Sequence, residues 1–213
     1  HTTDFWVVFD IVQYKAKSWM NRNRILHPQS GWQYISVPVI KSHRNTPICH
    51  VKLQSKDKSL KRILGQLNHY KKKAPFFNEV IDIITKSFDT SSSEYLVDIN
   101  ISCLKHTCGY LGVDFNYSVC SELELDLSEI QHPGQWALRI SEQMSAKEYV
   151  NPVGGQSLFR SEEWQSSGIK LSFHKPPSAS YECSNYTFID HLSIIDVMMW
   201  NDPKWILSQF NEI

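Results

Sequence analysis

The run FWVVFDIV, residues 5–12, has the length and the β-branched and aromatic composition of a buried strand. Strand-like runs recur along the chain and alternate with segments whose apolar residues are spaced three and four positions apart, as in helices. This alternation predicts an α/β fold, a single domain in which helices flank a mixed, partly parallel sheet. Residues 1–213 contain no linker long enough to separate two domains, so we assign the whole chain to one domain.

Turn and capping residues place the other elements. Further strands are predicted at Trp32–Ile40, Ile48–Leu53, Val113–Ser118, Tyr149–Pro152 and Ile169–Phe173. Helices are predicted at 60–67, Pro75–Phe88, Tyr95–Tyr110, Trp136–Met144, Leu192–Trp200 and Trp205–Phe210. Asp57 or Ser59 is expected to cap the first helix, and residues 13–31 are expected to form a polar loop that ends in a turn at 28–31.

Opposite charges are separated along the chain, although its 22 basic and 22 acidic residues balance. Lys15–Lys73 contains 14 Lys and Arg and one acid, Asp57, whereas residues 74–213 carry a net charge of −11. The basic stretch indicates an anionic partner. No run approaches the roughly 20 apolar residues of a membrane span, and we expect no signal peptide. Five irregularly spaced cysteines, too few for a disulfide scaffold, favour a cytoplasmic protein.

The segment that follows the first predicted strand is dense in functional residue types. In open α/β sheets ligands bind beyond the carboxyl ends of strands, which is where this segment is predicted to lie. Guanidinium groups bind phosphate or carboxylate, and amide side chains bind neutral polar edges. The candidate residues are Asp10, Gln13, Lys15, Asn21, Arg22, Asn23 and Arg24. The alternative is a purely structural loop in which Arg22 or Arg24 pairs with carboxylates of the fold.

Other catalytic patterns are weak or absent. No GxGxxG or Walker phosphate loop, GxSxG elbow or HExxH helix is present, and Gly154-Gly155 is only a weak candidate anion site. Cys120-Ser121-Glu122 offers a nucleophile beside an acid.

We expect no cofactor and no metal, because Cys103, His106 and Cys108 lack a second ligand pair. Nucleic acid is a weaker alternative partner, because the chain is near neutral overall and has no nucleic-acid-binding motif.

An ordered set of local motifs resembles the WbqC-like protein family. The family's Asp-x-Val-Gln and Asn-Arg-Asn elements are similar to residues 4–25, and its Tyr-x-Lys-Ala-Pro-aromatic element to YKKKAPFF, residues 70–77. Its Ser-Ser-Glu-Leu element is similar to SVCSELEL, residues 118–125. Further matches are WQYISVPV (32–39), YVNPVGGQSLF (149–159), GIKLSF (168–173) and HLSIIDVMMWN (191–201).

The resemblance implies a role in bacterial surface-polysaccharide loci, where a glycyl or aminoacyl transfer to a sugar has been suggested for the family. Carried onto this chain, the resemblance marks eleven positions. They are Asp10, Gln13, Asn21, Arg22, Asn23, Arg24, Ser121, Glu122, Gly154, Gly155 and Asp196. Asp196 lies in an apolar helical run, so we expect it to be a helix cap or a buried hydrogen-bond partner.

Three departures from the family pattern bear on the site. Family members usually carry a Gln-Pro…Pro…Gly-Tyr segment upstream of the first strand, which we expect this chain to lack. The family's paired Asp-Asp is Asp10-Ile11 here, which leaves one carboxylate. Cys120 stands where the first Ser of the Ser-Ser-Glu-Leu element is usual, and this weakens the case for a hydroxyl role there.

The sequence therefore predicts a transferase that adds a small acyl or aminoacyl unit to a sugar or a related anionic intermediate. Its substrate would be a nucleotide-linked or lipid-linked sugar, or an acyl donor. Asp10, Ser121 and Glu122 are the candidate catalytic residues. Lys15, Arg22 and Arg24 would bind phosphate, and Gln13, Asn21, Asn23, Gly154 and Gly155 would contribute polar contacts. The alternative is a non-catalytic partner of an acidic carrier protein or a synthetase.

Overall fold

The computed structural model describes residues 3–91 and 93–211, except for the side chain of residue 211. The chain forms two compact units. The first comprises Thr3–Ser121 and Ser178–Ile213, and the second comprises Glu122–Pro177. The assignment of residues 1–213 to one domain stays a prediction.

The strands of the described chain are short and pair two by two. In chain order they are β1 (Trp6–Val8), β2 (Arg22–Leu26), β3 (Trp32–Ser36), β4 (Tyr117–Val119), β5 (Glu148–Pro152) and β6 (Lys170–His174). The pairs β1–β4 and β5–β6 are parallel, and β2–β3 is antiparallel. The predicted α/β class, with both kinds of pairing, is confirmed. Within the described residues the pairing occurs in three separate two-stranded sheets and not in one mixed sheet.

Seven α-helices lie in the described part of the chain. They are α1 (Lys56–Leu67), α2 (Phe77–Thr90), α3 (Leu96–Leu111), α4 (Gln135–Gln143), α5 (Ser161–Ser167), α6 (Ile194–Trp200) and α7 (Pro203–Asn211). Short 3-10 turns lie at Ile48–His50, Asn68–Tyr70, Cys120–Glu122 and Val153–Leu158. No helix in the described part of the chain is long and apolar enough to span a membrane.

Each unit has its own hydrophobic core. In the first unit, α1, α2, α3 and α6 bury their apolar faces together with β2, and Leu67, Val80, Leu96 and Met199 have no measurable exposure. Such amphipathic helices owe most of their stability to this burial. In the second unit a smaller core forms around Trp164.

Several predicted elements of the first unit are corrected by the structure. Residues 22–26 form β2 and are not loop. The predicted strand Ile48–Leu53 is a 3-10 turn followed by isolated bridges, because its backbone groups bond to Val12 and Glu94 in distant segments. The N-cap of α1 is Ser55, whose hydroxyl accepts a hydrogen bond from Lys58 N, and not Asp57 or Ser59.

Candidate functional site

One face of the β2–β3 ladder carries basic and aromatic side chains next to each other. Arg24 lies opposite Tyr34 in the antiparallel register, and Leu26 lies opposite Trp32. Because alternate residues of a strand share a face, Arg22 lies on the same face as these pairs. Trp19, just before β2, completes the group through its contact with Tyr34. We call this set the arginine–aromatic surface: Trp19, Arg22, Arg24, Trp32 and Tyr34.

Aromatic rings hold both guanidinium groups of this surface. The Cζ atom of Arg22 lies 4.0 Å from the centroid of the Tyr34 ring. That of Arg24 lies 5.2 Å from the Trp32 ring and 5.5 Å from the Trp19 ring. Distances below about 6 Å are typical of cation–π contacts. Each guanidinium is therefore fixed without being neutralised.

The three rings nevertheless stay open to solvent. Trp19, Trp32 and Tyr34 are 63%, 42% and 37% exposed, although Trp32 and Tyr34 pack edge to face with 4.9 Å between their centroids. Large aromatic side chains that stay exposed next to one another mark a surface that can receive a ligand. The rings can therefore stack against a sugar or a nucleobase while they hold the arginines.

No carboxylate among the described residues forms an ion pair with Arg22 or Arg24. Arg24 Nη2 donates to the backbone carbonyl of His191 at 3.0 Å. The Nε atoms of both arginines are shielded from solvent, and no described residue accepts a hydrogen bond from them. The structural alternative for these arginines, pairing with carboxylates of the fold, is therefore wrong for the described chain. Their charge remains available to an anion.

The amide side chains beside the arginines play different parts. Asn21 donates from Nδ2 to the Val37 carbonyl at 3.1 Å, which ties the start of β2 to the end of β3. Asn23 Oδ1 accepts from Arg24 N at 2.8 Å, and the Asn23 side chain is exposed on the face opposite the arginines. Gln13 bonds through its amide to the Arg44 carbonyl, while Lys15 is exposed. These placements make Asn21 and Gln13 parts of the framework, and they leave Lys15 free to approach an anion.

Asp10 and Ser121 form a second, separate group in the first unit. Asp10 is 1% exposed. Its Oδ1 accepts from Ser121 N at 2.9 Å and its Oδ2 accepts from Ser121 Oγ at 2.6 Å. Hydroxyl-to-carboxylate bonds of this length are strong. The parallel pairing of β1 with β4 brings these two residues together, because each lies two positions after the end of its strand.

Two thiols flank this carboxylate. Burial raises the pKa of the Cys120 thiol to about 11, and the Asp10 charge adds to the rise. Burial likewise raises the pKa of Cys49, again with a contribution from Asp10. A thiol with a raised pKa is a poor nucleophile near neutral pH. Of the residues in the 120–122 turn, the exposed Ser121 is therefore better suited to act on a substrate.

With these positions established, the chain can be compared with known proteins. The model of the WbqC-like protein family matches residues 1–207. The chain belongs to the WbqC-like protein family. The sequence resemblance is thereby confirmed.

This WbqC-like protein is also similar to a Mycobacterium tuberculosis (strain ATCC 25618 / H37Rv) protein described as uncharacterized protein Rv1507c. The two are 25% identical over 171 residues, which cover 80% of this chain and 71% of that protein. No solved structure matches the chain.

Three further predicted positions of the WbqC-like chain lie in the second unit. Glu122 is exposed, and no described residue forms a hydrogen bond or ion pair with its carboxylate. Gly154 and Gly155 lie within the 3-10 turn Val153–Leu158. A Cβ on Gly155 would lie 2.4 Å from Asn151 Nδ2, the end of a side chain that can move aside, whereas open space surrounds the Cβ position of Gly154.

Asp196 is a buried hydrogen-bond acceptor, one of the two roles expected for it. It is completely buried on α6, where its Oδ1 accepts from the hydroxyl of Tyr70 and its Oδ2 accepts from that of Tyr181 at 2.7 Å. Burial raises the pKa of Asp196, and these two hydrogen bonds partly oppose the rise. Ser193 supplies the cap of α6, since its hydroxyl accepts from Ile195 N. The contacts of Asp196 account for it as part of the core.

Sequence reasoning missed one pair of titratable residues. His132 and Glu163, 31 positions apart, lie within hydrogen-bond distance in the second unit. Glu162 and Glu163 are adjacent in the sequence, and the side chains of neighbouring helix residues point apart. No motif spacing links either glutamate to His132, so only the fold shows the contact.

Proposed function

We propose that this WbqC-like protein is a transferase that adds a small acyl or aminoacyl unit, such as a glycyl group, to a phosphate-linked sugar or a related anionic intermediate. The setting would be bacterial surface-polysaccharide or natural-product biosynthesis. The arginine–aromatic surface is the observation that carries this proposal. It combines two arginines that have no carboxylate partner among the described residues with three exposed rings, two of them on one short ladder and one just before it.

This combination suits a sugar joined to phosphate. Guanidinium groups bind phosphate oxygens through paired, charge-assisted hydrogen bonds. Aromatic faces stack on apolar ring faces, including those of a nucleobase, and add binding energy that does not depend on charge. Arg22 and Arg24 would hold the phosphate, and Trp19 and Trp32 would hold the adjoining ring. Lys15, exposed in the loop before Trp19, would add a further positive charge.

Asp10 and Ser121 supply groups for proton transfer in the first unit. Both oxygens of Asp10 accept hydrogen bonds from Ser121, so the carboxylate would reach an acceptor amine through the exposed Ser121 hydroxyl. In this role Ser121 would take a proton from the amine as it passes its own to Asp10.

A cytoplasmic location belongs to the same proposal. It is supported by the free thiols of all five cysteines, which suit a reducing compartment.

A second candidate function is a non-catalytic partner of an acidic carrier protein or synthetase. One observation favours it: within the described chain, none of the 14 basic residues of Lys15–Lys73 forms an ion pair. Such a surface would attract an acidic protein through long-range contacts that salt screens strongly. Binding of a sugar nucleotide that also stacks on rings would be less sensitive to salt.

Calorimetric binding of UDP-glucose tests the first proposal. Arg22→Ala should weaken binding by about 2 kcal/mol, about 30-fold, through loss of a charge-assisted phosphate contact. Arg62→Ala is the matched control, because Arg62 is an exposed arginine of α1 with no ion pair in the described chain, and it should change nothing.

Trp19→Ala separates stacking from charge. It should weaken UDP-glucose binding more than inorganic diphosphate binding, because diphosphate has no ring to stack and Arg24 keeps its contact with the Trp32 ring. A short-chain polyprenyl diphosphate sugar, titrated in parallel, distinguishes the nucleotide-linked from the lipid-linked substrate. If folded Arg22→Ala binds both sugars as well as Arg62→Ala does, the phosphate-binding assignment is wrong.

A further inference from the structure

His132 and Glu163 form a hydrogen-bonded pair inside the second unit. His132 lies in the turn that precedes α4, and Glu163 lies in the first turn of α5. The Nε2 atom of His132 is 3.0 Å from Oε1 and 2.9 Å from Oε2 of Glu163. Their side chains are 14% and 24% exposed, so the pair is half-buried at a surface that solvent still reaches.

This geometry determines which nitrogen of His132 carries the proton in the neutral ring. A bare Nε2 lone pair would face two carboxylate oxygens, so Nε2 must carry the hydrogen and donate it to Glu163. The lone pair of the neutral imidazole is then on Nδ1. No described residue forms a hydrogen bond with Nδ1.

Neighbouring groups fix the carboxylate in this arrangement. Gln135 donates from Nε2 to Glu163 Oε1 at 3.1 Å, while its own Oε1 accepts from Gln131 N at 2.8 Å. The guanidinium of Arg160 lies 3.7 Å from Oε1 of Glu163 and is mostly exposed. The hydrogen bond from His132 is the largest cause that lowers the pKa of Glu163, so the carboxylate stays charged opposite the imidazole.

The backbone next to His132 is closely packed. A Cβ on Gly134 would lie 2.1 Å from the carbonyl oxygen of Leu158 and 3.2 Å from Cε1 of His132. Only glycine fits there, because the Leu158 backbone cannot move away as a flexible side chain could. The turn that contains His132 therefore packs closely against the 153–158 segment. Both this backbone packing and the hydrogen bond to Glu163 fix the position of the imidazole.

We infer that His132 is a general base, positioned by Glu163, for a substrate that presents a hydroxyl or an amine to Nδ1. A carboxylate that fixes the tautomer of a histidine and stabilises the imidazolium is the arrangement by which hydrolases and acyl transferases activate nucleophiles. Glu163 acts through His132 and is a positioning residue. Arg160 offers its exposed guanidinium to an anionic part of the same substrate.

The step balances for an acyl transfer whose acceptor is held in the second unit. The acceptor oxygen or nitrogen forms a bond to the acyl carbon, and its proton passes to Nδ1 of His132 as the bond between the acyl carbon and the donor breaks. The imidazolium then returns that proton to the departing donor group. The inference goes beyond the proposed function, and its test needs neither the acyl donor nor the sugar of that proposal.

The tautomer of His132 can be measured directly by nitrogen-15 NMR on histidine-labelled protein, from the signals of the neutral ring in a pH series. The expected spectrum shows His132 protonated on Nε2. Glu163→Gln should keep this tautomer, because the amide oxygen still accepts from Nε2, whereas Glu163→Leu should yield a mixture. A neutral His132 protonated on Nδ1 in the unmodified chain overturns the inference.

Reactivity is measured with p-nitrophenyl acetate at pH 7.5, with water as the nucleophile. We expect the protein to release nitrophenol faster than free imidazole at the same concentration. His132→Gln should remove most of this excess rate. His43→Gln is the matched control, because His43 is exposed and has no carboxylate partner in the described chain, and it should leave the rate unchanged. Equal rates in the two folded variants overturn the inference.

The two proposals fail separately. Loss of UDP-glucose binding in Arg22→Ala depends on the first unit, whereas the tautomer and the ester reaction depend on the second. A chain in which His132 behaves as expected but UDP-glucose does not bind would keep the general base and discard the proposed substrate.

Discussion

Two carboxylates of the first unit are buried, and their partners differ in a way that separates chemistry from structure. Asp10 accepts both of its hydrogen bonds from Ser121, an exposed residue. Asp196 accepts from Tyr70 and Tyr181, whose rings pack in the core. A buried carboxylate linked to an exposed hydroxyl can exchange a proton with a substrate, whereas one enclosed by tyrosines holds packed elements together.

Asp196 should leave a pH-dependent signature in stability. Its pKa is raised in the folded state by burial, so the folded protein holds this proton more tightly than the unfolded chain does, whose value is about 3.9. The contribution of Asp196 is therefore fully favourable below pH 4 and declines as pH rises toward the folded-state pKa.

Urea unfolding of the wild type and of Asp196→Asn between pH 4 and pH 7 measures this effect. The unfolding free energy of the wild type minus that of the variant should fall as pH rises, by at most about 1.4 kcal/mol per pH unit. A difference that is flat or grows with pH would mean that the two tyrosine hydrogen bonds outweigh desolvation.

At the level of elements, most helices were predictable, but the strand that carries the candidate binding residues was not. The spacing of apolar residues predicts Tyr95–Tyr110, and the structure has α3 at Leu96–Leu111. Residues 22–26, in contrast, begin with Arg-Asn-Arg, and only Ile25 and Leu26 are buried. A strand whose open face carries arginines lacks the apolar alternation by which strands are recognised. The local pattern therefore marks the candidate binding residues but not the ladder that aligns them.

The end of α3 provides a prediction for a single element. Gly112 follows the helix with a φ of 69°, and its N–H bonds to the carbonyls of Cys108 and Gly109. A Cβ there meets nothing within 4 Å, so the effect of Gly112→Ala isolates backbone strain. The variant should lose about 1 kcal/mol of unfolding free energy in urea titrations, because L-residues disfavour this left-handed conformation.

Gly109→Ala is the control within the same helix. It also has open space at the Cβ position, but it lies in the helical interior, so alanine should raise stability by about 0.5–1 kcal/mol. If both variants shift stability in the same direction, the strain assigned to Gly112 is absent.

For the whole molecule, the contacts that matter most join distant parts of the sequence. Asp10 and Ser121 are 111 positions apart, and His132 and Glu163 are 31 apart. Composition and spacing locate candidate side chains, but they contain no information on which of them meet, because that depends on strand pairing and helix packing. Asp10 and Ser121 were both candidates, yet their bond follows only from the parallel pairing of β1 with β4.

The two units also differ in how much core each contains, and this leads to the last prediction. The buried cluster of the second unit consists of Leu138, Trp164 and Ile169, with Tyr149 and Phe159 packed against it. The core of the first unit is several times larger. A small core gives little stability of its own, so Glu122–Pro177 should open at lower free energy than α2 and α3.

Trp164→Ala tests this directly by hydrogen exchange. Removing a fully buried tryptophan costs about 3–5 kcal/mol, which is comparable with the whole stability of so small a core. Amides of α4, β5, α5 and β6 should lose their protection, while those of α2 and α3 keep theirs. Leu96→Ala, which creates a cavity in the other core, is the reciprocal control and should lower the protection of α2 and α3. Loss of protection throughout the chain in both variants would instead establish that residues 1–213 unfold as one domain.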